Sequence, residues 1–296
     1  RANGSLRADR ITRKERRRRP APPFITSTLQ QDASRKLRFS AQRTMRIAQQ
    51  LYEGIDLGPG EPEGLITYMR TDSTRIASEA AEEALTVIRE KFGSDYALDK
   101  PRYFKNQKKA QDAHEAIRPT VLRNTPDEMA AYLSKDQLAL YRLIWQRFVA
   151  SQMKQALINQ VLITIEAGPY TFSASGSTVK FPGFMALYKS VADEIAEKDQ
   201  NKKPILPTLT EGMFLKLLQL EPKQHFTQPP PRFSEASLVK ELEENLNVDQ
   251  MIEALEYKVK GFAVAVNTTF VPIAKYDETI IKEGDTIDIL APVQGG

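Results

Sequence analysis

The chain contains no cysteine, so neither a disulfide framework nor a thiolate-bound metal cluster can be built from it. His114 and His225 are its only imidazoles, too few for a structural zinc site, and no metal ligand is expected in the chain. Long apolar runs are missing as well. Nothing approaches the roughly 20 residues that would cross a bilayer, and no basic segment followed by an apolar core opens the chain as a secretory leader. These absences lead to the expectation of no membrane association and a cytoplasmic location. The initiator Met is also missing: the sequence opens at Arg1 in mid-pattern, and we expect further chain to precede it.

What is present is enough for two or three domains with real cores: 296 residues, 41% of them hydrophobic and 27% charged. The net charge is only +4, but it is unevenly spread. The first 50 residues hold 14 Lys and Arg against 3 Asp and Glu, so this end carries +11 and the remainder −7. The centre of the basic end is "RKERRRRPAPPF", Arg13 to Phe24. Such a run reads either as a solvated face or arm, or as the place where a polyanion docks. Pro20, Pro22 and Pro23 stop any helix there.

Helical periodicity follows in "PFITSTLQQDASRKL" and in "SAQRTMRIAQQLYEG", the latter opened by Ser40 and closed by Gly54. "GPGEPEG" is a loop, "LITYM" a short strand, and "ASEAAEEALTVIREKFG" a helix ending at Gly93. Two capping boxes, Thr125 to Glu128 and Ser134 to Gln137, mark helix starts. The second begins a long helix whose apolar side carries Leu138, Tyr141, Ile144, Trp145 and Phe148, read as core. From Ala156 the period changes to two. "ALINQVLITIEAG", "YTFSASG" and "MFLKLLQLEP" read as antiparallel strands, with "ADEIAEKDQNKKPILP" as a surface loop.

The last fifty residues differ in kind. Arg232 is the final arginine, and Leu246 to Gly296 holds 4 Lys against 8 acids. This stretch reads as a helix, "NVDQMIEALEYK", then strands "GFAVAVN" and "TIDILAPV" separated by a turn with Pro272, and a bare "QGG" end.

The polar run after "LITYM" carries the chemistry. A phenol ionises near pH ~10, so a nucleophilic Tyr needs help, which an adjacent Arg supplies while steadying a phosphorane-like transition state. A Tyr68 at a strand end with Arg70 two residues on would place both side chains on one side of the pleat. From spacing alone, a half-buried strand Tyr followed by a capped polar turn is the favoured reading.

"LITYMRTDSTRIASEA" closely resembles the active-site signature of bacterial type IA DNA topoisomerases. So do "RRRRPAPPFITSTLQQDASRKL", "AQDAHEAIRPT", "LYRLIWQRFVASQM", "SGSTVKFPGF" and "QHFTQPPPRFSEASLVKELEE", in the family's order, over about residues 1–245. The resemblance implies that Tyr68 becomes linked to a DNA 5′-phosphate, that Arg70 positions that phosphate, and that Thr71 and Asp72 shape the pocket. It further implies that His114 and Arg118 contact the bound strand, with Glu115 orienting a neighbour, and that Arg232, Ser237 and Lys240 lie at the wall of the DNA groove. The fold implied is mixed α and β and multidomain: a helical gate domain on a β-rich arch, a fragment of the type IA toroid, with its hinge near "SASGSTVKFPGF". The activity implied is ATP-independent breakage, passage and rejoining of single strands through a 5′-phosphotyrosine, relaxing negative supercoils. Single-stranded and negatively supercoiled DNA are the partners, in a bacterial, nucleoid-associated setting.

The family also uses a Toprim domain whose carboxylates bind Mg²⁺, and this sequence carries no counterpart. The Mg²⁺ is therefore expected on a missing Toprim domain rather than on this chain, which alone is expected to bind DNA weakly and cleave it poorly. After "LVKELEE" the family's Gly-Arg-Pro-Ser-Thr stretch is replaced by "NLNVDQMIEAL". The tail "GFAVAVNTTFVPIAKYDETIIKEGDTIDILAPVQGG" is similar to the β-grasp, ubiquitin-like sulfur carriers of the thiamine and molybdopterin type. That resemblance implies a reactive terminus at Gly295 and Gly296, an adenylating enzyme as partner, and a fold short of its first hairpin. The expected division is a topoisomerase core fragment over 1–245 and a partial carrier over 246–296, joined as a natural fusion, a chimera or an assembly artefact. The alternative function is sulfur transfer and protein interaction through the Gly-Gly end.

Overall fold

The structure is a computed structural model, and it describes residues 6–58, 60–104, 114–189, 206–227, 229, 237–238, 248–249, 252, 263–281 and 287–290. It separates into two compact units, one made of residues 1–25 and 47–228, the other of residues 26–46 and 229–296.

In the first unit the basic end is not a solvated arm. Leu6–Arg18 forms strand β1, which lies inside a four-stranded antiparallel sheet between β2 (Ala156–Ala167) and a two-residue β4 (Phe214–Leu215). The outer strand beside β2 is β3, Tyr170–Phe181. Local preference does not favour a strand of seven cations. The ladder with β2, running from Arg7 opposite Glu166 to Arg18 opposite Ala156, provides what the local sequence lacks. An irregularity between Ala8 and Arg10 lets Ala8 and Ile11, three residues apart, both turn inward, where they are buried with Ile163 beneath Leu206 and Leu209. Two ion pairs cross the sheet, Arg7 with Glu166 at 2.8 Å and Lys180 with Glu15 at 2.8 Å.

β2 and β3 occupy the stretches expected of them, β3 running on through "STVKF" to Phe181. The expected strand "MFLKLLQLEP" shrinks to Phe214–Leu215, because only these residues find a partner in β1; Leu218, Leu220 and Phe226 stay exposed. "LITYM" is likewise no strand. Its only ladder contact is one bridge from Ile66 to Pro119, so the shared pleat expected for Tyr68 and Arg70 is replaced by a bend at Met69 and Arg70.

Helix α3 spans Ser78–Phe92 and stops at Gly93, whose φ of 93° suits a residue without a Cβ. The box at Thr125 opens a single 3-10 turn, Glu128–Ala131, rather than an α-helix. The box at Ser134 is complete in both directions and starts α4, Lys135–Ser151. Tyr141, Ile144, Trp145 and Phe148 are buried as expected, while Leu138 is half-buried. Trp145 Nε1 donates to Leu122 O at 3.0 Å and the Tyr141 hydroxyl donates to Asn124 O, so each buried polar tip is satisfied. Arg147, also buried, donates to Pro22 O at 2.6 Å and lies over the Phe24 ring, tying the proline-rich turn to α4.

The second unit contains α1, Thr26–Leu37, and a three-stranded antiparallel sheet ordered β6-β5-β7: Thr269–Val271, Ala263–Val266 and Ile287–Leu290. Val248, Val264, Val271, Tyr276 and Ile281 form its small core. Helix α2, Ala41–Glu53, begins after Ser40, whose Oγ accepts from Arg43 N at 3.2 Å. Most of the expected surface loop, most of the helix expected around "NVDQMIEALEYK" and the "QGG" end lie outside the described residues, while Leu206 at the loop's end packs on the sheet core.

Candidate active site

Two irregular stretches, residues 64–77 and 114–120, are laced together and hold Tyr68 between them. Leu65 N–H donates to Leu51 O at 2.7 Å, anchoring the first stretch to the end of α2. Thr67 N–H donates to Arg118 O at 2.9 Å, Arg118 N–H returns to Thr67 Oγ1 at 3.0 Å, and Thr67 Oγ1 donates to Ala116 O at 2.7 Å. Thr120 closes the far end through Leu65 O at 3.1 Å and Gly64 O at 2.7 Å. Ile117 N–H reaches Phe24 O at 2.8 Å. The backbone on both sides of Tyr68 is therefore fixed without belonging to a sheet.

On this frame the neighbours of Tyr68 are buried and Tyr68 is not. Ile66 and Met69 are inaccessible, whereas Tyr68 is 44% exposed. Its ring meets Tyr52 edge-on at 5.4 Å between centroids and His114 edge-on at 6.5 Å. Packing thus holds the ring upright while leaving it open to solvent. Gly64 makes this approach possible: a Cβ there would come within 2.6 Å of Tyr52 O.

Arg70 is exposed and has no ion pair or hydrogen bond among the described residues, so its guanidinium is open to an anion. Thr71 is buried and accepts from Ser73 N at 3.0 Å; Ser73 Oγ in turn accepts from Arg75 N at 3.2 Å. These turns direct the chain into α3, with half-buried Asp72 between them. Arg118 is differently placed. Its Nε and Nη2 donate to both oxygens of Glu115, at 2.9 and 3.0 Å, and its Nη1 donates to Pro119 O at 2.8 Å. Glu115 Oε1 also accepts from Ala77 N at 2.6 Å, at the N-terminal edge of α3, where Ala77 has no side chain able to cap the helix.

Tyr68 and His114 are therefore brought together, Arg70 and Asp72 follow on the same anchored stretch, and Arg118 joins through its backbone. Ser237 is helical and half-buried, within the second unit. Arg232, Lys240, Gly295 and Gly296 lie outside the described residues. Tyr52 had no signal in the sequence beyond being an aromatic residue near the end of a helix. Among the described residues no group of three or more His, Asp or Glu converges to hold a metal.

The site thus presents an open phenol beside an imidazole and an open guanidinium on a fixed backbone, and comparison with known proteins identifies the chain's family. A DNA topoisomerase family model matches residues 1–259, and a ThiS family model matches residues 229–296. The fold is similar to that of full-length topoisomerase I from Thermotoga maritima, with a TM-score of 0.66 and 37% sequence identity, over 81% of this chain and 37% of that one. The chain belongs to the DNA topoisomerase family, with a ThiS-like C-terminal region. It matches little more than a third of the Thermotoga maritima protein.

Proposed function

We propose that the chain is the gate and arch portion of a type IA topoisomerase, with Tyr68 as nucleophile. The observation that carries this reading is the exposed Tyr68 phenol on a backbone anchored at Leu65, Thr67 and Thr120, two residues before an open Arg70. In the proposed step Tyr68 Oη attacks a phosphodiester phosphorus. The new O–P bond forms as the bond to the 3′-oxygen breaks, the phenol gives up its proton, and the departing 3′-oxygen takes one up. Because one phosphate ester replaces another, rejoining reverses the same step without ATP. Arg70 would neutralise the charge that grows on the non-bridging oxygens, in a geometry that a planar guanidinium suits. The Tyr52 and His114 rings restrict the phenol to a narrow set of directions, lowering the orientational cost of attack.

Mg²⁺ is assigned to a Toprim domain supplied separately, and no step here passes through it. The test is covalent trapping: a labelled single-stranded oligonucleotide with this chain and Mg²⁺, with and without an added Toprim domain, on a denaturing gel. An adduct that requires the added domain and is lost in Tyr68→Phe supports the reading. No adduct with both parts folded overturns it. Binding should also weaken with salt, log affinity falling with log salt by about 0.7 per phosphate contacted.

A second reading rests on the ThiS family match over residues 229–296. In it the tail is a sulfur carrier whose terminal Gly296 is adenylated and converted to a thiocarboxylate. Mass spectrometry after incubation with an adenylating enzyme, ATP and a sulfur donor tests this; an unchanged C-terminus rejects it.

A further inference from the structure

At the end of the four-stranded sheet lies a cavity of about 480 Å³, none of whose lining residues belongs to the Tyr68 site. Its floor is a row across three strands. Arg17 of β1 stands opposite Leu157 of β2, which stands opposite Phe181 of β3, so a cation and two apolar groups share one face. Phe181 is held by the Tyr96 ring, 5.1 Å away between centroids. Arg19 continues β1 toward the cavity, and Arg102 and Lys154 complete its lining.

Four cations thus converge, and the one acid on the lining, Glu15, is already occupied by Lys180 at 2.8 Å. Arg102 is built in rather than draped over. Its backbone N–H donates to Gln152 Oε1 at 2.8 Å, its carbonyl accepts from Gln152 Nε2 at 2.9 Å, and its Nη1 donates to Ser151 O and Met153 O at 2.7 and 3.0 Å. Gln152 is wholly buried. Burial, together with the nearby charge of Arg19, pushes the Arg102 guanidinium below its ordinary value. Lys154, which also lines the cavity, is fixed through its backbone, N–H to Tyr96 O at 2.8 Å and O from Phe184 N at 2.9 Å.

We propose that this cavity binds a phosphorylated nucleotide unit, its phosphate on Arg17, Arg102 and Lys154 and its base against Leu157 and Phe181. Guanidinium forks suit phosphate oxygens, and a flat apolar floor beside them suits a base of any identity. The unit is either a free nucleotide or one residue of a single strand, since both present the same group. The inference stands independently of any role for Tyr68.

The test is calorimetric titration of dTMP, thymidine and inorganic phosphate into the full chain and its Lys154→Ala and Arg17→Ala variants. Both removed side chains leave their backbone bonds in place, and circular dichroism reports that each variant is folded. Each variant is expected to weaken dTMP roughly tenfold by loss of a charged hydrogen bond. Thymidine and inorganic phosphate should each bind more weakly than dTMP. Unchanged dTMP affinity in both Lys154→Ala and Arg17→Ala, or phosphate binding as tightly as dTMP, overturns the assignment. A dT oligonucleotide then distinguishes the source: affinity that falls in the same variants marks a strand, and affinity that does not marks a free nucleotide.

Discussion

Arg118 donates to both carboxylate oxygens of Glu115, at 2.9 and 3.0 Å, and the same carboxylate accepts from Ala77 N at 2.6 Å. One side chain therefore joins the stretch beside Tyr68 to the start of α3. The family resemblance implies a DNA contact for Arg118, and in this structure its guanidinium is bonded within the protein, at 12% side-chain exposure. Glu115→Ala should remove the acceptor and leave both donors unsatisfied, costing about 1–3 kcal/mol. Thermal unfolding would show it as a lowered Tm, and an unchanged Tm would contradict the brace.

Tyr68→Phe removes only a hydroxyl from a ring packed by Tyr52 and His114. Oligonucleotide affinity by fluorescence anisotropy should stay within a factor of two or so of the parent, since a single exposed hydroxyl contributes little. The covalent adduct should vanish, and its persistence would reject Tyr68 as nucleophile.

Arg70→Lys keeps the charge and loses the planar fork. With the Toprim domain supplied, adduct formation should slow by about 10²–10³, equivalent to ~2.7–4 kcal/mol of transition-state stabilisation. A rate close to that of the parent would mean that Arg70 acts at long range, as charge alone.

Gly64→Ala would put a Cβ 2.6 Å from Tyr52 O, which is backbone and cannot swing away. Displacing the end of α2 from the Tyr68 stretch should cost about 1–3 kcal/mol. Because Tyr52 also braces the Tyr68 ring, adduct yield should fall along with Tm. A loss of stability with full adduct yield would separate the two.

Burial, reinforced by the charge of Glu128, raises the Tyr141 phenol above its ordinary value of 10.0. A group whose folded pKa is raised lends stability that is whole below its unfolded value and is lost as pH rises toward the folded one. Stability should thus decline above pH ~10. Tyr141→Phe should lose about 1 kcal/mol near neutrality, by orphaning Asn124 O, yet show a smaller alkaline decline. Equal alkaline slopes in urea titrations would assign the decline to other groups.

The helices were legible because their signals are local. Ser40 and Ser134 opened helices where expected, Gly93 closed one, and the period of α4 located Tyr141, Trp145 and Phe148 in the core. Strand β1 was not legible. Its conformation comes from β2, some 150 residues away in sequence, and no local preference of "RKERRRR" announces it. The same non-locality misplaced "LITYM", a good strand by composition that is held instead by the Thr67 and Thr120 side chains. Resemblance singled out Tyr68 and His114 for separate roles, and their edge-on contact at 6.5 Å is seen only in the structure. Tyr52 and the Arg118 clasp depend on three-dimensional packing and left no mark in the order of residues.

Arg18 faces Ala156 as the last pair of the β1–β2 ladder. The chain therefore leaves the sheet and re-enters it at side-by-side positions, and everything from Arg19 to Gln155 is an insertion between adjoining strands. Its two roots are one strand spacing apart, roughly 5 Å. Swinging such an insertion asks for torsion at its paired roots and for release of the Tyr96–Phe181 ring contact and the Arg147–Tyr188 hydrogen bond, but no rung of the ladder need break. The same topology makes the segment excisable: a short linker from Arg18 to Ala156 would leave the sheet with its pairing intact.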